Sequence, residues 1–190
     1  GLVRDQVTAW LLGADVAADA FFVAFRIPNL LRRLTAEGAL TAAFVPTFVE
    51  TLEKEGPGAA ERLANSAVTF ASMVLAVITL LGMCFSEQIV LAVALGYAND
   101  PEKLALTASL NKIVFPYIFF ISLVALASGI LNSMGRFAAP AAAPVILNVC
   151  MISSVAVGAR FFGMDPSHCL AWGVVAAGVL QLALQIPFIQ

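Results

Sequence analysis

The chain has 190 residues, of which 61% are hydrophobic and only 12% are charged, with a formal net charge of −2. A soluble domain carries about 25% charged residues, so this composition and a mean hydropathy of +0.95 predict an integral membrane protein. No basic patch or base-stacking motif suggests nucleic acid as a partner, and the spacing of the three cysteines fits neither a metal site nor a disulfide framework.

The first fifty residues predict three helical segments of mixed polarity, Gly1–Gly13, Asp15–Leu34 and Thr35–Leu52. The first looks like the end of a helix that carries Arg4 and Asp5. The other two are either one long helix or two broken ones, because they contain residues that bend or break helices. These residues are Pro28, Gly38 and Pro46.

Four uncharged runs follow, each long enough to cross about 30 Å of hydrocarbon as a helix. They are the run between Arg62 and Glu87, Ile113–Gly135 with Pro116 inside it, Phe137–Ala159, and the run from Cys169 to the end of the chain. Backbone groups in lipid must be satisfied within their own segment, so each run is predicted to be helical. The expected fold class is therefore all-α, a polytopic membrane protein with about six transmembrane helices, the first of them truncated.

The ends of the chain and its loops add two expectations. The sequence begins in mid-pattern at Gly1 and stops inside an apolar run at Gln190, so we expect a fragment of a longer protein. Lysine and arginine are more frequent in cytoplasmic loops. If the start is cytoplasmic, three such residues lie inside and two outside, which decides little about orientation. The inside residues are Lys54, Arg62 and Arg136, and the outside residues are Lys103 and Arg160.

A stripe of charged residues interrupts the second predicted helix. Seven-residue steps separate Asp19, Arg26 and Arg33 and bring them onto nearly one helical face, and Glu37 follows Arg33 by four residues. Arginine at membrane depth costs about 3 kcal/mol or more and usually faces a water-filled cavity. The simpler interpretation is a set of ion pairs at a helix end, where the arginines snorkel into the headgroups.

The basic residues of this stripe suit an anionic ligand. Arg26, Arg32 and Arg33 form a guanidinium-rich segment with Asn29 among them. The planar fork of donors in arginine matches phosphate or diphosphate better than lysine does. Several such groups in a cavity with apolar walls would bind an amphiphile with an anionic head.

The remaining charged residues are interpreted more simply. Asp19 and Glu37 would hold the unliganded arginines or exchange ion pairs at a gate, although ordinary structural pairing accounts for them about as well. Lys112, near the start of the run from Ile113, can snorkel. His168 has no second ligand at metal-binding spacing. No hydrolase triad, zinc-protease or nucleotide-binding motif occurs, so an enzyme is not expected.

Distinctive blocks of residues occur in order along almost the whole chain. In the first fifty residues they are Gly1-Leu-Val-Arg-Asp5, Asp19-Ala-Phe-Phe-Val-Ala-Phe25, Pro28-Asn-Leu-Leu-Arg-Arg33, Ala36-Glu-Gly-Ala39 and Ala43-Phe-Val-Pro46. Further on they are Phe115-Pro-Tyr-Ile118, Ile130-Leu-Asn-Ser133, Arg136-Phe-Ala-Ala-Pro140 and Pro144-Val-Ile-Leu-Asn148. Together these blocks resemble the amino-terminal lobe of the MurJ (MviN) lipid II flippase family.

The resemblance implies one lobe of a two-lobe exporter of the multidrug/oligosaccharidyl-lipid/polysaccharide superfamily, with residues 1–190 as the amino-terminal lobe and the second lobe absent. The implied activity is transport by alternating access. Its substrate is lipid II, the undecaprenyl-diphosphate-linked peptidoglycan precursor, which crosses the bacterial inner membrane from the inner to the outer leaflet. No cofactor is implied, and the resemblance leaves open whether membrane potential or a coupled cation biases the two states.

The resemblance also assigns roles to residues. Arg4 and Arg32 match cavity arginines of the family and would bind the diphosphate, and Arg26 matches a position that is basic in the family. Charged positions near the cavity or its gates fall on Asp5, Asp19 and Glu37, and Arg33 would act with them as a charge partner.

Two other functions stay open at this point. One is export of another polyprenyl-linked saccharide or of an amphipathic drug, and the other is a non-transporting membrane scaffold. The doubled arginine after Pro28 and Asn29 favours a lipid diphosphate over a cationic drug, whose site would be acidic. The intact cavity arginines argue mildly against a scaffold.

Overall fold

The computed structural model describes residues 16–34 and 40–189, and no strand occurs in these two ranges. The helices in chain order are α1 (Val16–Leu34), α2 (Leu40–Glu55), α3 (Pro57–Cys84), α4 (Ser86–Val93), α5 (Pro101–Val114), α6 (Tyr117–Ser133), α7 (Ala138–Phe162) and α8 (Pro166–Ile189), with a 3₁₀ turn at Leu95–Asn99. The predicted all-α class is confirmed.

Four segments of the described chain are long and apolar enough to cross a membrane. They are Pro57–Cys84, Pro101–Ser133, Ala138–Ala159 and Pro166–Ile189. Each overlaps one of the predicted uncharged runs, so the multi-pass membrane class is confirmed. Helix α1 has four charged residues among 19, and α2 has only 16 residues, so neither qualifies by length and composition. The predicted segment Gly1–Gly13 lies outside the described residues.

The second of these segments differs from the sequence prediction in its start and its continuity. It begins at Pro101 rather than near Ile113, so Lys112 lies within the span and not at its start. Pro116 does not lie inside a helix as predicted but between α5 and α6. The backbone stays nearly helical there, because the Ile118 amide donates to the Phe115 carbonyl (3.0 Å) and the Phe119 amide donates to the Pro116 carbonyl (3.1 Å). The proline therefore bends the span without ending it.

Helix α8 lies at the centre of the lobe, in contact with α7, α6, α5 and α1. Its glycines permit this close packing. A Cβ added to Gly173 would lie 2.9 Å from the Ser154 Cβ and 3.1 Å from the Cys150 carbonyl oxygen of α7, and one added to Gly178 would lie 2.9 Å from the Phe120 Cβ of α6. Small residues in membrane helices let backbones approach in this way.

Buried amide side chains add polar contacts between the same helices. The Gln185 Nε2 atom donates to the Ser128 hydroxyl of α6 (2.9 Å), and the Gln181 Nε2 atom donates to the Ala143 carbonyl of α7 (2.6 Å). Both glutamines are almost fully buried. Such bonds are retained in lipid because no water is available to replace them.

Other helices are peripheral. Only 22% of the most apolar window of α3 and 11% of that of α7 is buried inside the lobe, against 67% for Pro101–Ser133. At the inner edge of α3, Gly82 leaves room for the Phe115 ring beside the bend at Pro116. The surface of α3 that points outward carries large apolar side chains, which are Phe70, Met73, Val77 and Leu80.

We expect Gly173→Ala to destabilise the lobe by about 1–3 kcal/mol, because the added methyl group would meet backbone and Cβ atoms that cannot rotate away. The matched control is Gly96→Ala, since nothing lies within 4 Å of the added Cβ at that position. The thermal unfolding midpoint of the detergent-solubilised protein measures both variants. Equal midpoints for the two variants would contradict the close packing of α8.

Asp165 begins α8 as its N-terminal cap. Its Oδ1 atom accepts hydrogen bonds from the Ser167 amide (2.8 Å) and hydroxyl and from the His168 amide (3.4 Å). Partial burial opposes ionisation, but the hydrogen bonds from Ser167 and His168 outweigh it and hold the pKa of Asp165 below its ordinary value of 3.8.

Asp165→Ala should therefore lower stability by about 1 kcal/mol at neutral pH, the usual cost of losing a helix cap. A carboxylate with a lowered pKa stabilises the folded state above its unfolded-state pKa, and this contribution is lost as pH falls through the folded-state pKa. The difference between wild type and variant should thus shrink only below about pH 3.8. Unfolding midpoints across pH 3–7 test this, and a difference that is constant across the range would refute it.

Candidate functional site

Helix α1 is held in the lobe by a buried face that is entirely apolar. Ala20, Phe21 and Ala24 are fully buried and Ile27 is 3% exposed. The small side chains bring α1 close to α5. The Phe21 ring stacks on the Phe25 ring with centroids 5.8 Å apart, which fixes the side that packs against α6 and α8. The rotation of α1 about its axis is therefore set by packing.

The opposite face of α1 is exposed and carries two residues of the predicted charged stripe, Asp19 and Arg26. Asp19 and Arg26 both lie on this face, where Phe22 and Leu30 are 44% and 48% exposed. Within residues 16–34 and 40–189, no carboxylate lies within 4.0 Å of the Arg26 guanidinium. Arg26 is therefore an exposed cation on the face of α1 that lies opposite its buried, apolar face.

Asp19 is anchored by a residue that the sequence pattern did not indicate. Its Oδ2 atom accepts from the Lys103 Nζ atom at 3.1 Å, across 84 residues of sequence. The Lys103 side chain is 18% exposed and that of Asp19 is 71% exposed. The ammonium also lies 4.6 Å from the centroid of the Tyr97 ring, within the range of a cation–π contact. This contact ties the first turn of α1 to the start of α5.

Buried polar contacts hold α4 against α5, the helix that carries Lys103. The Asn111 Nδ2 atom donates to the Ser86 hydroxyl (2.7 Å), which donates to the Ala108 carbonyl (2.9 Å), and these bonds join α4 to α5. Asp100 caps α5 by accepting from the Lys103 amide at 3.1 Å. The position of the Lys103 ammonium is therefore determined by the backbone where α4 packs against α5 and by the Tyr97 ring.

Pro28 and Asn29 lie where the backbone hydrogen bonding of α1 is interrupted. Proline has no N–H, so the Ala24 carbonyl, four residues before Pro28, has no helical donor. At the next carbonyl, that of Phe25, the Asn29 Nδ2 atom donates a hydrogen bond at 3.1 Å. In this conformation the amide nitrogen of Asn29 is thus used by its own helix, and a ligand would compete with that bond.

The structure places the other predicted site residues only in part. Arg32 and Arg33 belong to the last turn of α1, and their side chains lie outside the described part of the structure. Arg4, Asp5 and Glu37 also lie outside the described residues. The convergence of several guanidinium groups therefore stays a prediction. In residues 16–34 and 40–189, no group of three His, Cys, Asp or Glu residues is positioned to hold a metal ion.

The chain is similar to known proteins over nearly all of its length. A family model described as lipid II flippase MurJ matches residues 8–190. The lipid II flippase MurJ of Burkholderia cenocepacia is 44% identical over 187 residues, covering 98% of this chain and 36% of that protein. A probable lipid II flippase MurJ of Rhizobium tropici is 43% identical over 188 residues, covering 97% and 35%. The chain thus spans a little over a third of the length of these relatives.

A solved structure shares the fold. It is described as lipid II flippase MurJ in an inward closed conformation, and it matches this chain with a TM-score of 0.75 at 28% identity. The match covers 96% of this chain and 38% of that one. The helices described above therefore correspond to one lobe of that larger transporter.

We expect the Asp19–Lys103 pair to couple more strongly than a fully exposed ion pair, because the Lys103 side chain is only 18% exposed and its ammonium lies over the Tyr97 ring. A double-mutant cycle of Asp19→Asn and Lys103→Gln should therefore give a larger coupling free energy than a control cycle on a fully exposed pair. The control cycle is Glu50→Gln with Lys54→Gln, whose partners are 61% and 71% exposed. A coupling no larger than that of the control would show that the pair does not anchor α1.

Proposed function

The chain belongs to the lipid II flippase MurJ family, and from this membership we propose that it is the amino-terminal lobe of a flippase for lipid II. In this proposal the lobe lines one side of a central cavity in the bacterial inner membrane. The lipid-linked disaccharide-peptide passes through that cavity from the inner to the outer leaflet. The chemistry is transport of an intact molecule, with no bond made or broken.

The observation that carries the proposal is the polarity of α1. One face of this helix is buried among apolar side chains of α5, α6 and α8, and the other exposes Asp19 and Arg26 beside apolar residues. An arginine in such a helix is costly in hydrocarbon and is retained where water or an anionic ligand meets it. The exposed face of α1 is therefore the side that we assign to the cavity.

The proposed ligand group is the diphosphate. Arg32 and Arg4 would bind its oxygens through paired N–H donors, a geometry that guanidinium supplies and ammonium does not. Arg26 and Asn29, on the preceding turns of α1, would extend the site towards the sugar. The polyprenyl chain would remain in the surrounding lipid.

Transport requires more than tight binding. A ligand shifts the balance between inward-open and outward-open states only if it binds the two states with different affinity. We propose that Asp5, Asp19, Arg33 and Glu37 exchange ion-pair partners as the cavity changes the side to which it opens. Membrane potential or a coupled cation would supply the bias that makes the cycle run outward.

The experiment replaces the endogenous flippase of a depleted bacterium with the protein as its gene encodes it, and measures lipid II in the outer leaflet. Arg32→Ala should reduce externalised lipid II at least tenfold at equal membrane levels, the loss expected for about 1.4 kcal/mol or more of a charge-assisted contact. Arg32→Lys should restore only part of the activity, since lysine keeps the charge and loses the fork.

The control is Lys54→Gln, which removes an exposed cation paired with Glu50 at the end of α2 and should leave transport unchanged. A well-inserted wild type that externalises no lipid II would contradict the proposed substrate and favour an exporter of another polyprenyl-linked saccharide. Full activity of Arg32→Ala would instead contradict the diphosphate site while leaving the substrate standing.

A further inference from the structure

A cavity lies between α7 and α8, and all of its lining residues belong to these two helices. It has a volume of about 420 Å³, within the range of small-molecule pockets. The lining side chains are all apolar or thiol and include Val145, Val149 and Cys150 of α7 and Leu180, Ala183 and Leu184 of α8. We refer to it as the α7–α8 groove.

The groove lies at the depth of lipid acyl chains. Val145 and Cys150 stand 7 and 12 residues after Ala138, where the membrane segment begins, which places them about 10–18 Å along the helix at 1.5 Å per residue. Because a bilayer has about 15 Å of hydrocarbon on each side of its midplane, this interval runs from the inner part of one leaflet's acyl region to just past the midplane. Water has no polar partner in such a groove, so hydrocarbon has to fill it.

A cation stands at the polar end of the groove. Arg136, in the turn between α6 and α7, donates from its Nη1 atom to the Phe188 carbonyl near the end of α8. Phe188 lies one helical turn beyond Leu184, which lines the groove. Arg136 is exposed, and a guanidinium has further N–H donors besides the one used here. Its charge is therefore available at the level where a lipid phosphate lies when its chain enters the groove.

From this juxtaposition we propose that the α7–α8 groove binds one acyl chain of an anionic phospholipid whose phosphate is held by Arg136. The charge selects the headgroup, since a basic residue beside the membrane surface attracts anionic lipid by about 1 kcal/mol. The concave apolar wall selects the chain, because a groove offers more contact than the convex surface of a single helix. The site is separate from the proposed transport cavity, and its occupant is not transported.

The test uses the protein as its gene encodes it, reconstituted in nanodiscs with phosphatidylglycerol that carries a photoreactive diazirine in the middle of one acyl chain. Crosslinks are located by peptide mass spectrometry. Peptides covering residues 145–150 and 180–184 should be labelled about fivefold more than those covering residues 73–81 of α3, which carry exposed apolar side chains. The same probe built on phosphatidylcholine should lose most of this excess.

Two variants and one control distinguish binding of the acyl chain from binding of the headgroup. Ala183→Trp fills the groove and should remove the excess labelling, whereas Val157→Trp, at an exposed position of α7 outside the groove, should keep it. Arg136→Gln should reduce the preference for phosphatidylglycerol over phosphatidylcholine to near unity, because labelling of the groove by phosphatidylglycerol should fall to the level given by phosphatidylcholine. An unchanged headgroup preference in Arg136→Gln would overturn the assignment of the phosphate to Arg136.

Labelling of the groove no greater than that of α3 would mean bulk lipid only, and absence of labelling would mean that another part of the polypeptide covers the groove. Either result would overturn the proposal. Lipid II transport by the same nanodisc protein, returned to vesicles, is a separate readout and does not depend on the groove. Failure of the lipid site is thus distinguishable from failure of the proposed flippase function.

Discussion

Close contact between the backbones of α8 and its neighbours is the constraint on which the rest of the lobe depends. Lipid is as apolar as a leucine side chain, so apolar burial drives helix association only weakly in a membrane, and packing of small residues has to contribute much of the stability. Gly173 and Gly178 allow α8 to approach α7 and α6, and Ala171 and Ala177 are fully buried on the same helix. The buried, apolar face of α1 rests on this assembly, so the direction of its charged face is set by contacts that involve no charge.

Hydropathy was sufficient to predict the helical class and the four long spans, because length and lack of charge are sequence properties. It was insufficient at Pro101–Ser133, where Lys103 and Lys112 moved the predicted start of the span to Ile113 although the helix begins at Pro101. Proline position alone could not decide whether Pro116 lies in a helix or between two, since proline can either kink a helix or end it. In the structure the Phe115 ring lies beside Gly82 next to this position. Tertiary packing settles such local choices.

The site was predictable as far as one helix extends. The seven-residue spacing of Asp19 and Arg26 was enough to place both on one face, because helical periodicity is local. The partner of Asp19 was not predictable, since Lys103 is 84 residues away and no spacing rule predicts which helix α1 packs against. Local use of the Asn29 amide by the Phe25 carbonyl also depends on the backbone next to Pro28, which the sequence reveals only as a tendency to bend.

The bend at Pro116 has a mechanical consequence. Without an N–H at Pro116, the Lys112 carbonyl lacks its helical hydrogen bond, and shorter three-residue bonds close the turn. A helix resists bending least where its hydrogen-bond ladder is interrupted. The span from Pro101 to Ser133 therefore consists of two helices, α5 and α6, joined by a flexible bend at Pro116. The part of the span before Pro116 carries Lys103, which binds Asp19. A change in the bend at Pro116 would therefore move Lys103 and act on Asp19 in the first turn of α1.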